Sequence, residues 1–157
     1  MKIIAVASTK CGVGKSTIAI NLATTLNQLN YQVILADADA QQSSFLFAED
    51  RKDNGLPILN AVYIESPEEL DDVIIHSSSD YLIIDCGGRD TVMFRTALIK
   101  ADIIVIPVTS GQFDFWGTTD TLDLIQEANT FRVDAKQKEP YVLCVLNQAR
   151  TFTKTHK

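Results

Sequence analysis

The chain has 157 residues, 46% hydrophobic and 22% charged with a mean hydropathy of +0.06, which suits one domain with a substantial core and excludes a disordered or fibrous protein. Its longest apolar run, Ile103-Ile104-Val105-Ile106-Pro107-Val108, is six residues against the roughly 20 a membrane helix needs. Cys11, Cys86 and Cys144 lack CxxC spacing, which excludes a disulfide framework, zinc site or iron–sulfur cluster held by this chain alone. Reduced thiols and a cytosolic location are expected. The formal charge of −6 is uneven: residues 1–130 carry 8 Lys+Arg against 18 Asp+Glu, and residues 131–157 carry 6 against 2, so a basic end follows an acidic body.

Strand-like apolar runs alternate with helix-length segments throughout, the pattern of βαβ units in a mostly parallel sheet with helices on both faces. The first strand, Lys2–Ser8, runs straight into a glycine-rich loop, so the N-terminus reads as core and not as a cleaved secretory signal. In the helix expected at Ser16–Asn30, the residues Ile18, Ile20, Leu22, Ala23, Leu26 and Leu29 form a broad apolar face. Strands follow at Tyr31–Asp37 and Leu59–Ile64; between them the charged segment Glu49–Leu56, closed by Asn54-Gly55, predicts a loop joining a short helix to an edge strand. Ser66-Pro67-Glu68-Glu69 predicts a helix start, with Ser as N-cap, Pro first and Glu third. The remaining strands are Tyr81–Asp85, Ile103–Thr109 and Tyr141–Asn147, and most of the six read as near-continuous Val/Ile/Leu, as in sheets covered on both faces. Repeats and low-complexity tracts are absent from the sequence.

Thr9–Gly14, between the first strand and a helix opening at Lys15-Ser16, has the form of a phosphate cradle. Backbone N–H groups of the turn and the helix N-terminus would face the phosphates, Lys15 would neutralise the β- and γ-phosphates, and the Ser16 hydroxyl would be a magnesium ligand. The plain alternative is a glycine-rich connecting turn. The match to GxxxxGK[ST] is imperfect, with Thr9 where the first Gly belongs and an added Lys10. Lys10-Cys11-Gly12-Val13-Gly14-Lys15-Ser16-Thr17 resembles the deviant Walker A motif of the ParA/MinD family, KGGxGK[ST][ST]. By that resemblance these eight residues bind ATP, and Lys10 reaches across an ATP-sandwiched dimer to the partner's nucleotide; a solvated loop lysine is the alternative. Cys11 departs from the family's glycine, at a cost of about 1 kcal/mol if its φ is positive.

Asp37-Ala38-Asp39-Ala40-Gln41-Gln42 resembles the family's DxDPQ switch with Ala40 replacing proline, a loss expected to loosen the switch. Acidic groups at the carboxyl end of a strand beside a phosphate loop can organise magnesium and the attacking water. We assign Asp39 to the water and Asp37 to the magnesium region, with helix-capping carboxylates as the alternative. Tyr81–Asp85 closes on a Walker B aspartate, so Asp85 is expected to hold magnesium directly or through water, and Gly87-Gly88 to form a second switch; a strand-end turn is the alternative. Cys86 reads as packing. Asn147, before Gln148, is an adenine contact in several relatives by resemblance, or a turn-forming asparagine. The aromatic group Phe113-Asp114-Phe115-Trp116 is core or hinge packing, or a partner contact; His76 and His156 show no ligand spacing, and Glu68, Glu69, Asp71 and Asp72 read as a solvated helix face.

The resemblance spans nearly the whole chain in motif order, Pro107-Val108-Thr109 included, and implies a SIMIBI-type P-loop NTPase with three α/β/α layers. It is nearest to small, ParF-like partition proteins that lack an N-terminal DNA-binding domain. It implies a Mg2+- and ATP-dependent ATPase, weak unless stimulated, that forms an ATP-dependent homodimer, binds DNA non-specifically, associates with the nucleoid and answers to a centromere-binding ParB-like partner. Relatives continue further, so residues 1–157 are expected to be one ATPase domain lacking the C-terminal strand and helices, with the basic end beginning a DNA-facing surface. The alternatives are a MinD-like positioning ATPase on a membrane or other cargo, a metabolic phosphotransferase resembling dethiobiotin synthetase, and a binder that never hydrolyses.

Overall fold

The computed structural model describes residues 1–109 and 114–148. Phe113, the side chains of the aromatic group after it, and residues 149–157, His156 included, lie outside the described residues. The elements run β1 (Lys2–Val6), α1 (Lys15–Gln28), β2 (Val33–Ala38), α2 (Ser43–Asp53), β3 (Ala61–Tyr63), α3 (Pro67–His76), β4 (Tyr81–Cys86), α4 (Val92–Lys100), β5 (Ile103–Val108), α5 (Asp114–Asp134) and β6 (Tyr141–Leu146). The sheet has the order β3-β2-β4-β1-β5-β6 with every pairing parallel, so the carboxyl ends of all six strands lie along one rim.

Strand side chains alternate between faces and divide the core in two. Ile3, Ala5, Ile34, Ala36, Leu82 and Ile84 pack with residues of α3, α4 and α5, Leu70, Phe94, Leu98 and Ile125 among them. Ile4, Val6, Val33, Leu35 and Ile83 pack with Ala19 and Ala23 of α1 and Ala48 of α2. This is the expected three-layer α/β/α arrangement, with β3 at one edge. α3 starts as predicted: the Ser66 hydroxyl accepts from the Glu69 N–H at 3.2 Å, and Pro67 is the first helical residue.

Two expectations fail. Glu49–Leu56 is not a loop throughout, because α2 continues to Asp53 before Asn54 and Gly55, at φ 67, end it. Its charged residues lie outside, with Lys52 4.0 Å from Glu49 and the Arg51 guanidinium over the Phe47 ring, while Ser44 and Ala48 form a narrow buried stripe that the charges mask. β6 is apolar yet exposed, with Tyr141 at 77%, Leu143 at 52% and Leu146 at 63%, since it lies at the sheet edge beyond β5. No helix among the described residues is long and apolar enough to cross a membrane.

Arg132 is 5% exposed although it belongs to the basic end of the sequence. Its guanidinium donates to the carbonyls of Lys138, at 2.9 Å, Leu98, at 3.2 Å, and Ile99, tying the end of α5 to the last turn of α4. A cation suits carbonyls left unpaired at a helix C-terminus. Arg132→Met should lower unfolding free energy by about 2 kcal/mol in urea titration, because it strands buried carbonyls. An unchanged midpoint would show that they find other donors.

Candidate phosphate-binding site

The loop after β1 is held from outside. The Thr9 N–H donates to Thr121 Oγ1 of α5 at 3.1 Å, and the Lys10 N–H donates to Ser8 Oγ at 3.2 Å. Gly12 and Gly14 adopt φ 76 and 90, the left-handed region that suits glycine. Cys11 is not among the positive-φ residues, so the strain considered for it does not arise. Gly14 is the N-cap of α1 and no side chain caps the helix, which leaves first-turn N–H groups for an anion. Lys15 is buried, its ammonium donating to the Lys10 carbonyl at 3.1 Å.

β2 and β4 bring two carboxylates together at this rim: Asp37 and Asp85 are direct register partners, both fully buried. Asp37 Oδ1 accepts the Asp39 N–H at 3.0 Å, and Oδ2 accepts the Ser44 and Phe45 N–H groups, each at 2.9 Å. These bonds match the helix-capping alternative, while the pairing with Asp85 keeps Asp37 beside the region expected for magnesium. Asp37 is the capping carboxylate of α2, engaged there because Gln42, the N-cap residue by position, supplies no side-chain cap.

Asp85 differs. Neither carboxylate oxygen has a hydrogen-bond partner. Burial pushes its pKa up to about 6 and repulsion from Asp37 adds to this, while the Ser16 and Ser44 hydroxyls and the Lys15 charge pull the other way. A buried, unpartnered carboxylate beside a second one is short of a cation, and a hard ion such as Mg2+ fits Asp85 and Ser16 as oxygen donors. Among the described residues no group of three or more His, Cys, Asp or Glu could hold a metal, so phosphate oxygens and water would complete its shell. Ser44, buried with its hydroxyl unpartnered, joins this centre and was missed from sequence because nothing local to it distinguishes it from a helix-start serine.

The segments after β2 and β4 pack together and against the phosphate loop. A Cβ on Gly87 would lie 3.8 Å from Asp39 Cα, and one on Gly88 would come within 2.7 Å of Cys11 Sγ and 3.3 Å of Lys15 Nζ. Asp39 is half-buried, with Oδ1 accepting the Gln41 N–H at 3.0 Å, and Ala40 is exposed. They border a cavity of about 610 Å³ that Cys11, Gln41, Tyr63, Glu65 and Arg89 also line. Burial pushes the Cys86 thiol up, consistent with packing. Asn147, expected at the adenine, turns its Nδ2 to the Val13 carbonyl at 2.9 Å, and Gln148 Nε2, not foreseen from sequence, donates to the Gly12 carbonyl at 3.1 Å. Thr17 is exposed on the first turn of α1.

A family model described as the CobQ/CobB/MinD/ParA nucleotide binding domain matches residues 4–152. The chain is 29% identical over 144 residues to the maintenance of carboxysome distribution protein A of Halothiobacillus neapolitanus, covering 89% of this chain and 64% of that protein. It is 26% identical over 152 residues to the chromosome-partitioning ATPase Soj of Thermus thermophilus, covering 79% and 61%. The chain therefore spans less than two thirds of either relative. A crystal structure of a plasmid partition protein from Borrelia burgdorferi superposes with a TM-score of 0.76 at 23% identity, covering 97% of this chain and 80% of that one, a likeness of fold.

Proposed function

We propose, from the premise that this chain belongs to the CobQ/CobB/MinD/ParA nucleotide-binding family, that residues 1–157 form the domain of a cytosolic partition-type ATPase that binds Mg-ATP, dimerises around it and is reset by hydrolysis. The observation that carries this reading is the phosphate loop itself: an uncapped helix N-terminus, a buried Lys15 and an additional Lys10 at its head, at the same sheet rim as Asp85, whose carboxylate oxygens accept no hydrogen bond. Soj and the Borrelia protein are described as partition proteins and the Halothiobacillus one by carboxysome distribution, which supports DNA or a large protein body as cargo.

In this reading the N–H groups of the loop and α1 bind the β- and γ-phosphates, with the Lys15 ammonium leaving the Lys10 carbonyl to join them. Ser16 and Asp85 would hold the magnesium, which would offset charge on the triphosphate. Asp39 orients the water that attacks the γ-phosphorus as the bond to the β-phosphate oxygen breaks, giving ADP and phosphate. Lys10 of each protomer supplies positive charge to the partner's γ-phosphate, where the transition state gathers negative charge. Non-specific DNA is met by the basic end, from which the buried Arg132 is subtracted; Lys136 and Lys138 are exposed. A centromere-binding, ParB-like protein accelerates turnover.

Single-turnover assays with labelled ATP, run beside duplex-DNA retention, test this. Slow release of phosphate, with DNA held in the ATP state and freed in the ADP state, is the expected result. ATP bound but never cleaved, with or without DNA, would leave a nucleotide-binding scaffold in place of a switch.

A further inference from the structure

The end of β6 grips the phosphate loop from behind. The Asn147 N–H extends the β5–β6 ladder by donating to the Val108 carbonyl at 2.7 Å, and Gln148 then turns with φ 54. That turn presents two carboxamides in succession: Asn147 Nδ2 to the Val13 carbonyl at 2.9 Å and Gln148 Nε2 to the Gly12 carbonyl at 3.1 Å. The approach is close enough that a Cβ on Gly14 would lie 2.3 Å from Asn147 Nδ2.

In a planar trans peptide the C=O of one residue points opposite to the N–H of the next. A donor on the Gly12 carbonyl therefore fixes the direction of the Val13 N–H, and a donor on the Val13 carbonyl fixes that of Gly14. Each also polarises the amide it holds, strengthening the N–H toward an anion. We propose that Asn147 and Gln148 are positioning residues for the triphosphate: they aim the Val13 and Gly14 N–H groups through the loop's outward carbonyls, and their contribution to affinity falls on the phosphates whatever base is attached. This rests on the nucleotide reading above. Gln148 holds this place with a left-handed backbone, a conformation that L-residues rarely adopt.

Calorimetric titration of wild type, Asn147→Ala and Gln148→Gly with ATP, GTP and inorganic tripolyphosphate, each with Mg2+, tests the inference. Gln148→Gly removes the donor while relieving the backbone, so its melting temperature should not fall. The expected result is a loss of about tenfold for all three ligands in both variants, with the ATP/GTP ratio of wild type retained. A loss confined to ATP would make these residues base readers and overturn the inference, as would unchanged affinities in Gln148→Gly. Wild type that binds none of the three ligands would instead bring down the nucleotide reading itself.

Discussion

Gly14→Ala should bind Mg-ATP at least about 100-fold more weakly than wild type while remaining folded. Two independent effects converge on this position. Its φ of 90 lies where an L-residue costs roughly 1–2 kcal/mol. A new Cβ would also stand 2.3 Å from Asn147 Nδ2, closer than any real contact, so either the carboxamide leaves the Val13 carbonyl or the loop moves. The first response removes the donor that holds the Val13–Gly14 peptide in place, and the second turns the peptide itself. The rest of the sheet is untouched, so thermal unfolding should record a loss of only about 2 kcal/mol. Calorimetric titration beside a melting curve checks both halves. A variant that binds ATP within threefold of wild type would show that the loop's geometry is not what holds the nucleotide.

The second large effect has opposite signs with and without ligand. Asp85 carries a buried charge that accepts no hydrogen bond, beside Asp37, and the nearby Lys15 charge and Ser16 and Ser44 hydroxyls offset only part of the cost of burial. In the unfolded chain it ionises near 3.8 and in the metal-free fold near 6. Between those values the folded state retains a proton that the unfolded chain has lost, so its contribution to stability falls as pH rises through that window and the whole penalty stands at pH 8. Two units correspond to on the order of 2–3 kcal/mol. Without magnesium, Asp85→Asn should therefore be more stable than wild type at pH 8 by about 2 kcal/mol, the gap closing toward pH 4. With Mg-ATP the order should reverse: wild type gains melting temperature by ligand linkage, and the variant gains little and does not turn over. A variant destabilised in the absence of metal would mean that the carboxylate is satisfied by the protein alone.

The phosphate loop was legible because its chemistry is local: the glycines, Lys15 and Ser16 lie within one turn between a strand and a helix. Asp85 was legible for a similar reason, as an acid closing an apolar run. For Asp37 the sequence left magnesium region and helix cap both open, since the choice depends on where α2 begins, and the register that sets it opposite Asp85 joins strands more than forty residues apart. The same limit applies to the carboxamide clamp, a contact across more than a hundred residues. Sequence could offer Asn147 as a site residue yet not say whether it faces base or loop. α2 was partly hidden because a two-residue buried stripe is too narrow to show under its charges. β6 reads as covered because apolar periodicity reports what a strand is made of and not what lies against it.

In the proposed function Mg-ATP joins two copies of this chain through Lys10, and light scattering of wild type and Lys10→Ala, with and without Mg-ATP, tests that step. Mass should double from 17.3 kDa only for wild type with Mg-ATP; ATP-bound wild type that stays monomeric would rule the sandwich dimer out.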